Sequence, residues 1–146
     1  MGNRNQKTHK CQHEVYTVFN VVNNDIQGEY KQYFRKSNQI AMIVNFDKGV
    51  PVGDCKMFWD NGNLHTLMEK VAVLMYAKCK FCYKFDISNI IPNGLYAMYY
   101  RSGELQMKGM YVNGNRHGMF EYYDKLANLI KTEVYNDGIL EPIEGT

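Results

Sequence analysis

No charge of either sign dominates this chain of 146 residues: 17 Lys and Arg stand against 15 Asp and Glu, a formal net charge of +2. Nucleic-acid binding calls for a clustered basic footprint. The one basic-leaning stretch, Arg4 to Lys10, is a short run near the start and reads as a solvated tail. A nucleic-acid partner is therefore not expected. There are only 3 prolines, and alanine, the best helix former, is rare. The longest apolar run, Val71 to Ala77, falls far short of the ~20 residues that span a bilayer as a helix. Residues 1–20 hold no apolar h-region and no small-residue cleavage site, and no N-x-S/T sequon occurs. A myristoylation signal wants Ser or Thr where Gln6 follows Gly2. The expected setting is intracellular and cytoplasmic, with the membrane periphery as the alternative, and the 4 cysteines then read as thiols rather than disulfides.

Catalytic signatures are equally thin. Ser37, Ser88 and Ser102 are the only serines, and none sits in a G-x-S-x-G elbow. No phosphate loop occurs, and no G-x-G-x-x-G opens a helix. The carboxylates are scattered, and Glu104, Asp124 and Glu133 read as turn and surface residues. No enzyme is expected, and no cofactor is implied.

What the chain has in abundance is tyrosine, 12 residues of an aromatic content of 14%, together with glycine and asparagine. That mixture favours strands joined by tight turns. It is also repetitive. A shift of 24 residues sets Gly94 on Gly118, Tyr96 on Phe120, Tyr99 on Tyr123, Leu105 on Leu129, Tyr111 on Tyr135 and Gly114 on Gly138. A shift of 41 in the other direction sets Gly94 on Gly53, Tyr99 on Phe58, Tyr100 on Trp59, Gly103 on Gly62 and Leu105 on Leu64. A shift of 66 sets Gly94 on Gly28, Tyr96 on Tyr30 and Tyr99 on Tyr33; after one extra residue, Ile40, Phe46 and Gly49 match Leu105, Tyr111 and Gly114. About four copies follow, starting near Gly28, Gly53, Gly94 and Gly118, with a half copy leading in from Tyr16.

Each copy reads as strand, short turn, strand, short turn, an antiparallel meander. Glycine and asparagine supply the positive φ that tight hairpins need. Strand alternation then assigns two faces. Two, four and six residues after the leading glycine come Tyr30, Gln32 and Phe34; Cys55, Met57 and Trp59; Tyr96, Met98 and Tyr100; Phe120, Tyr122 and Asp124. This first face is rich in aromatics and methionine. The fifth residue points the other way and is aromatic in every copy: Tyr33, Phe58, Tyr99 and Tyr123. That second face is otherwise wet, and its single aromatic file is the expected partner-binding surface.

Residues 94–118, GLYAMYYRSGELQMKGMYVNGNRHG, resemble a MORN repeat of the longer-period, antitoxin-like variant, with Gly94, Tyr99, Tyr100, Gly103, Leu105, Tyr111, Asn113, Gly114 and Gly118 carrying the match. The resemblance covers 28–67 and 94–140; Asn38 and Ala127 replace the turn glycine in the first and fourth copies. It implies a repetitive antiparallel sheet used in scaffolding, protein–protein contact and, in some members, association with membrane lipid, and it supplies no catalytic residues. Related arrays occur in proteins of large DNA viruses, protists and bacteria.

The expected architecture is all-β and single-domain: a flexible N-terminal tail over 1–15, a repeat array over 16–140 with an insertion at about 68–92, and a short tail over 141–146. Residues 64–80 read as an apolar strand, with a helix from the spacing of Leu64, Leu67, Met68, Val71 and Met75 as the alternative. Cys79 and Cys82 form a C-x-x-C pair that, with Cys11 and His13, could make up a zinc set, but the twin C-x-x-C is missing. The expected function is a noncatalytic protein-interaction or scaffold module. A peripheral binder of anionic lipid comes second and a small zinc-stabilised module third. The placement of the basic residues discriminates between the first two: one basic face favours lipid.

Overall fold

The computed structural model describes residues 5–9, 15–73 and 90–142. Among them there is no helix. Thirteen strands follow one another: β1 (Asn5–His9), β2 (Val15–Val22), β3 (Asp25–Phe34), β4 (Ile40–Asp47), β5 (Val50–Phe58), β6 (Leu64–Met68), β7 (Ala72–Val73), β8 (Ile90–Ile91), β9 (Gly94–Tyr99), β10 (Leu105–Val112), β11 (Asn115–Tyr123), β12 (Leu129–Asn136) and β13 (Ile139–Leu140). Eleven of them form one open antiparallel sheet in sequence order, with β7 and β8 paired separately. The short β7–β8 pair joins the two ends of the expected insertion, so β6 and β9 meet directly in the main sheet. Residues 64–68 and 72–73 are strand, as the repeat register implies, and residues 74–80 of the ambiguous apolar run lie outside the described residues. The stretch expected to be a flexible tail contributes β1, whose backbone continues the sheet beyond β2.

Two kinds of turn alternate, one at each end of the strands. At one end, two-residue turns place both central residues at positive φ: Asn23 and Asn24 (50° and 67°), Lys48 and Gly49 (47° and 80°), Asn113 and Gly114 (50° and 86°), Asp137 and Gly138 (48° and 85°). These are type I′ hairpins, whose twist matches the strands they join. At the other end, longer loops close through paired backbone hydrogen bonds, such as Tyr100 N–H to the Glu104 carbonyl and Gly103 N–H to the Tyr100 carbonyl. Each such loop has one left-handed residue: Asn38, Gly62, Gly103 or Ala127.

The leading glycines are not in the turns. Gly28, Gly53 and Gly118 lie inside strands, four residues past the second turn residue, at φ 79°, 74° and 74°. There the register slips. Gly28 to Tyr30 face the single residue Phe19; Gly53 to Cys55 face Val44; Gly118 to Phe120 face Gly109. Such bulges bend the strand and sharpen its twist. A second bulge recurs near each longer loop. The fifth-position aromatics Tyr33, Phe58, Tyr99 and Tyr123 pair with Ile40, Leu64, Leu105 and Leu129, leaving Ala41, His65, Gln106 and Ile130 as the extra residues.

The core lies on the first face. Phe19, Ile26, Tyr30, Met42, Val44, Phe46, Cys55, Met68 and Val71 form one buried cluster. Tyr30 stacks on Phe19 with ring centroids 5.6 Å apart and meets Phe46 at 5.5 Å. Cys55 takes the ring position of its copy and is fully buried; burial pushes its thiol pKa up to about 12. A thiol held protonated in this way is a small apolar filler rather than a nucleophile.

Candidate functional site

The first face changes character along the sheet. Over β2–β6 it is a dry core. Over β9–β12 the same register carries Tyr96, Tyr111, Phe120 and Tyr135, in centroid steps of 5.1, 5.7 and 5.3 Å. Of these rings only Phe120 is fully buried. Antiparallel pairing sets Arg116 opposite Tyr111, Lys131 opposite Tyr122 and Glu133 opposite Phe120. Side chains of opposed residues share a face, so these groups converge.

Arg116 is the hub. Its Nε donates to the Tyr111 hydroxyl at 3.3 Å, and its Nη1 donates to Tyr122 at 3.1 Å and Tyr135 at 2.9 Å. The guanidinium carbon lies 4.9 Å from the Phe120 centroid and 5.1 Å from that of Tyr135, a cation–π arrangement. The phenols pass the interaction on. Tyr122 and Tyr135 donate to one Glu133 carboxylate oxygen at 2.6 and 2.9 Å, and Lys131 reaches the other at 2.8 Å. Lys131 also caps the Tyr122 ring at 4.4 Å.

The ionisation states follow. Hydrogen bonds from Lys131, Tyr122 and Tyr135 hold the Glu133 carboxyl down at about 2. Burial, aided by the hydrogen bond to Glu133, pushes the Tyr122 phenol up. Burial works against the Arg116 charge, but its hydrogen bonds to Tyr111 and Tyr135 outweigh that and raise its pKa. At neutral pH Arg116 and Glu133 are charged and the Tyr122 phenol is neutral. No buried side-chain nitrogen or oxygen lacks a partner among the described residues. The arrangement offers a pre-ordered, half-exposed aromatic surface with a fixed central cation.

The second-face aromatics are arranged differently. Tyr33, Phe58, Tyr99 and Tyr123 recur once per copy and are half-buried. Among the described residues no ring contact joins one of them to another. Each is paired with an aliphatic residue of the following strand, and Tyr33 is further stacked on Tyr16, with centroids 5.1 Å apart and planes at 12°. Charged residues interleave with the file: Lys108 pairs with Glu121 at 2.8 Å, and Lys31 pairs with Glu29.

Two residues of the sixth position, Trp59 and Tyr100, lie just past the ends of β5 and β9 and bridge adjacent copies. Trp59 Nε1 donates to the Tyr99 carbonyl at 3.2 Å, and the Tyr100 hydroxyl donates to the Tyr123 carbonyl at 2.8 Å. Both acceptors are fifth-position residues of the next copy. In the fourth copy the equivalent residue is Asp124, which instead caps its own loop by accepting from Leu126 N–H and Asn128 N–H.

Sequence reasoning missed Arg116 and Lys131 and read Glu133 as an ordinary surface carboxylate. Glu133 is in fact the acceptor for two phenols and a lysine. The signal was present only in the strand register, because Arg116, Tyr122 and Glu133 meet through antiparallel pairing rather than through sequence spacing. Cys11, His13, Cys79 and Cys82 lie outside the described residues. Among the described residues no three metal-ligating side chains cluster, and no helix is long and apolar enough to cross a membrane. No protein-family model matches the chain, and no curated protein shows significant similarity to it.

Proposed function

We propose that this chain is a MORN-like, noncatalytic protein-interaction module whose contact surface is the tyrosine–arginine face of β10–β12. The observation that carries the reading is the change along the first face: one register that is sealed core at Tyr30 and Phe46 becomes half-exposed rings around Arg116 at Tyr111, Tyr122 and Tyr135. Tyrosine and arginine are the residues that dominate binding hot spots, because they desolvate large areas while keeping a polar handle. The internal hydrogen bonds order the side chains before any partner arrives, which lowers the entropy cost of contact.

The basic residues favour a protein over an anionic membrane. Lys31 and Lys108 lie on the second face, Arg116 and Lys131 on the first, and Arg101 at a loop end beside Asp60. These charges are divided between faces and paired with acids, whereas lipid surfaces attract clustered Lys and Arg.

The test is affinity capture with the intact chain from a native lysate, beside flotation on vesicles containing phosphatidylserine. The expected result is a specific protein that is lost with Tyr122→Ala or Tyr135→Ala and retained with Val50→Ala, with no flotation. Salt-sensitive flotation without protein capture would replace this reading with the lipid one.

A further inference from the structure

Among the described residues the main sheet ends at β13. After each earlier two-residue turn the chain builds a long strand: Asp25–Phe34, Val50–Phe58 and Asn115–Tyr123. After the Asp137–Gly138 turn it builds only Ile139–Leu140. Pro142 stands where Gly28, Gly53 and Gly118 stand in the other copies, and proline cannot donate to a ladder. The outer edge of β12 is therefore covered only near its end, by two opposed pairs with β13 and by a bond from Glu141 N–H to the Val134 carbonyl at 2.8 Å. From Leu129 to Glu133 no described strand lies on it. Large apolar side chains flank that stretch in the open: Leu129 is 53% exposed, Ile130 62% and Val134 38%.

The exposed sequence is complementary to itself. Let β12 run antiparallel to a second β12 about a two-fold axis through Thr132. Lys131 then faces Glu133 of the second copy, and Glu133 faces its Lys131. Ile130 faces Val134, and Leu129, beyond the bulge at Ile130, falls outside this register. Moving the axis to Lys131 or Glu133 would set like charges opposite one another. Of these three registers, only that about Thr132 matches charge with charge and apolar with apolar.

Backbone direction agrees. Asn136 flanks the two-residue turn and pairs with Ile139, and Val134 offers its carbonyl to Glu141 on the same edge. Counting back by two, Thr132 turns its N–H and carbonyl outward as well.

We propose that β12 is a self-association edge, and that two copies of this chain join through it into one continuous sheet, with β13 giving way. The dimer sets five opposed pairs over residues 130–134, against the four that two monomers hold through β13. A two-fold axis normal to the sheet keeps like faces together. Lys131 and Glu133 of both copies then form a four-charge set on the first face. This inference rests on the edge of β12 rather than on exposed rings, and it shares Lys131 and Glu133 with the proposed partner surface, where they hold Tyr122 and Tyr135.

Sedimentation of the full chain over a concentration series tests it. Wild type is expected to pass from monomer to dimer. Lys131→Glu and Glu133→Lys each set like charges opposite one another and weaken the dimer at least about tenfold. Mixing these two variants in equal amounts restores opposite charges across the axis at both positions. The mixture is expected to dimerise although neither variant does alone, and the intrachain pair cannot explain that rescue.

Thr132→Pro removes an outward N–H at an edge where proline is tolerated, and it is expected to keep the strand signal in circular dichroism while staying monomeric. A wild type that stays monomeric throughout overturns the proposal. So does a folded, dimeric Thr132→Pro variant, or a mixture of two folded charge variants that fails to associate. Species that keep growing beyond the dimer would set β1, not β12, against this edge and overturn it as well.

Discussion

Gly109→Ala puts the packing of the first face to its most direct test. Gly109 is the single residue facing the three-residue bulge of Gly118 to Phe120. A Cβ there would lie 2.4 Å from two Phe120 ring carbons and 2.6 Å from a third. The ring has nowhere to retreat: it is fully buried and edged by Tyr111 at 5.7 Å, Tyr135 at 5.3 Å and the Arg116 guanidinium at 4.9 Å. Overpacking of this kind costs about 1–3 kcal/mol. Alanine in a strand recovers roughly 0.5–1 kcal/mol of the entropy that glycine loses on folding. The net expectation is a loss of about 1–2 kcal/mol, read from urea unfolding midpoints at unchanged slope.

The partner of the test is Phe120→Ala, which removes all three of those ring atoms, whereas leucine would keep a Cγ and a Cδ carbon there. In that background Gly109→Ala should be neutral or slightly stabilising, so the double-mutant cycle should return the overpacking cost itself, about 1–3 kcal/mol. Equal costs of Gly109→Ala in both backgrounds would refute the idea that Phe120 dictates glycine at this position.

Three further outcomes follow from single features. Ala127 sits in a longer loop at φ 62°, where the matching residues are Gly62 and Gly103; Ala127→Gly should stabilise the protein by about 1 kcal/mol in thermal unfolding, since the left-handed region costs an L side chain about 1–2 kcal/mol. Tyr100→Phe removes only the hydroxyl that donates to the Tyr123 carbonyl, and should cost about 0.5–1.5 kcal/mol in the same assay, whereas an unchanged melt would show that the bridge between copies contributes nothing. The Glu133 carboxyl, held at about 2 in the folded chain against roughly 4.3 unfolded, contributes stability that is fully present above the unfolded value and is lost as pH falls toward 2; urea midpoints between pH 6 and pH 2.5 should therefore fall more steeply for wild type than for Glu133→Gln, and parallel curves would contradict the assignment.

Much of the architecture was legible without coordinates. Glycine and asparagine recurring between aromatic runs announce hairpins, because few other residues accept the backbone angles of a two-residue turn. The repeat shifts put Tyr30, Cys55, Tyr96 and Phe120 in equivalent positions, and alternation put them on one face; the structure buries Tyr30, Cys55 and Phe120 completely and Tyr96 in part. The all-β meander and the strand at 64–68 both come from that periodicity.

What alternation alone could not supply was register. Bulges at Gly28, Gly53 and Gly118, and again at Ala41, His65, Gln106 and Ile130, shift each strand by amounts that a period of two does not encode. Those shifts decide that Gly109 lies under Phe120, and that Trp59 and Tyr100 reach the next copy. They also bring Arg116 among three phenols that are 5, 6 and 19 residues away along the chain. Local backbone preference and side-chain alternation are properties of chain neighbours, so a repeating antiparallel sheet with one aromatic face was readable before folding. Which part of that face is sealed and which is half-exposed around Arg116 depends on the strands laid against each residue, and so emerges only in the folded chain.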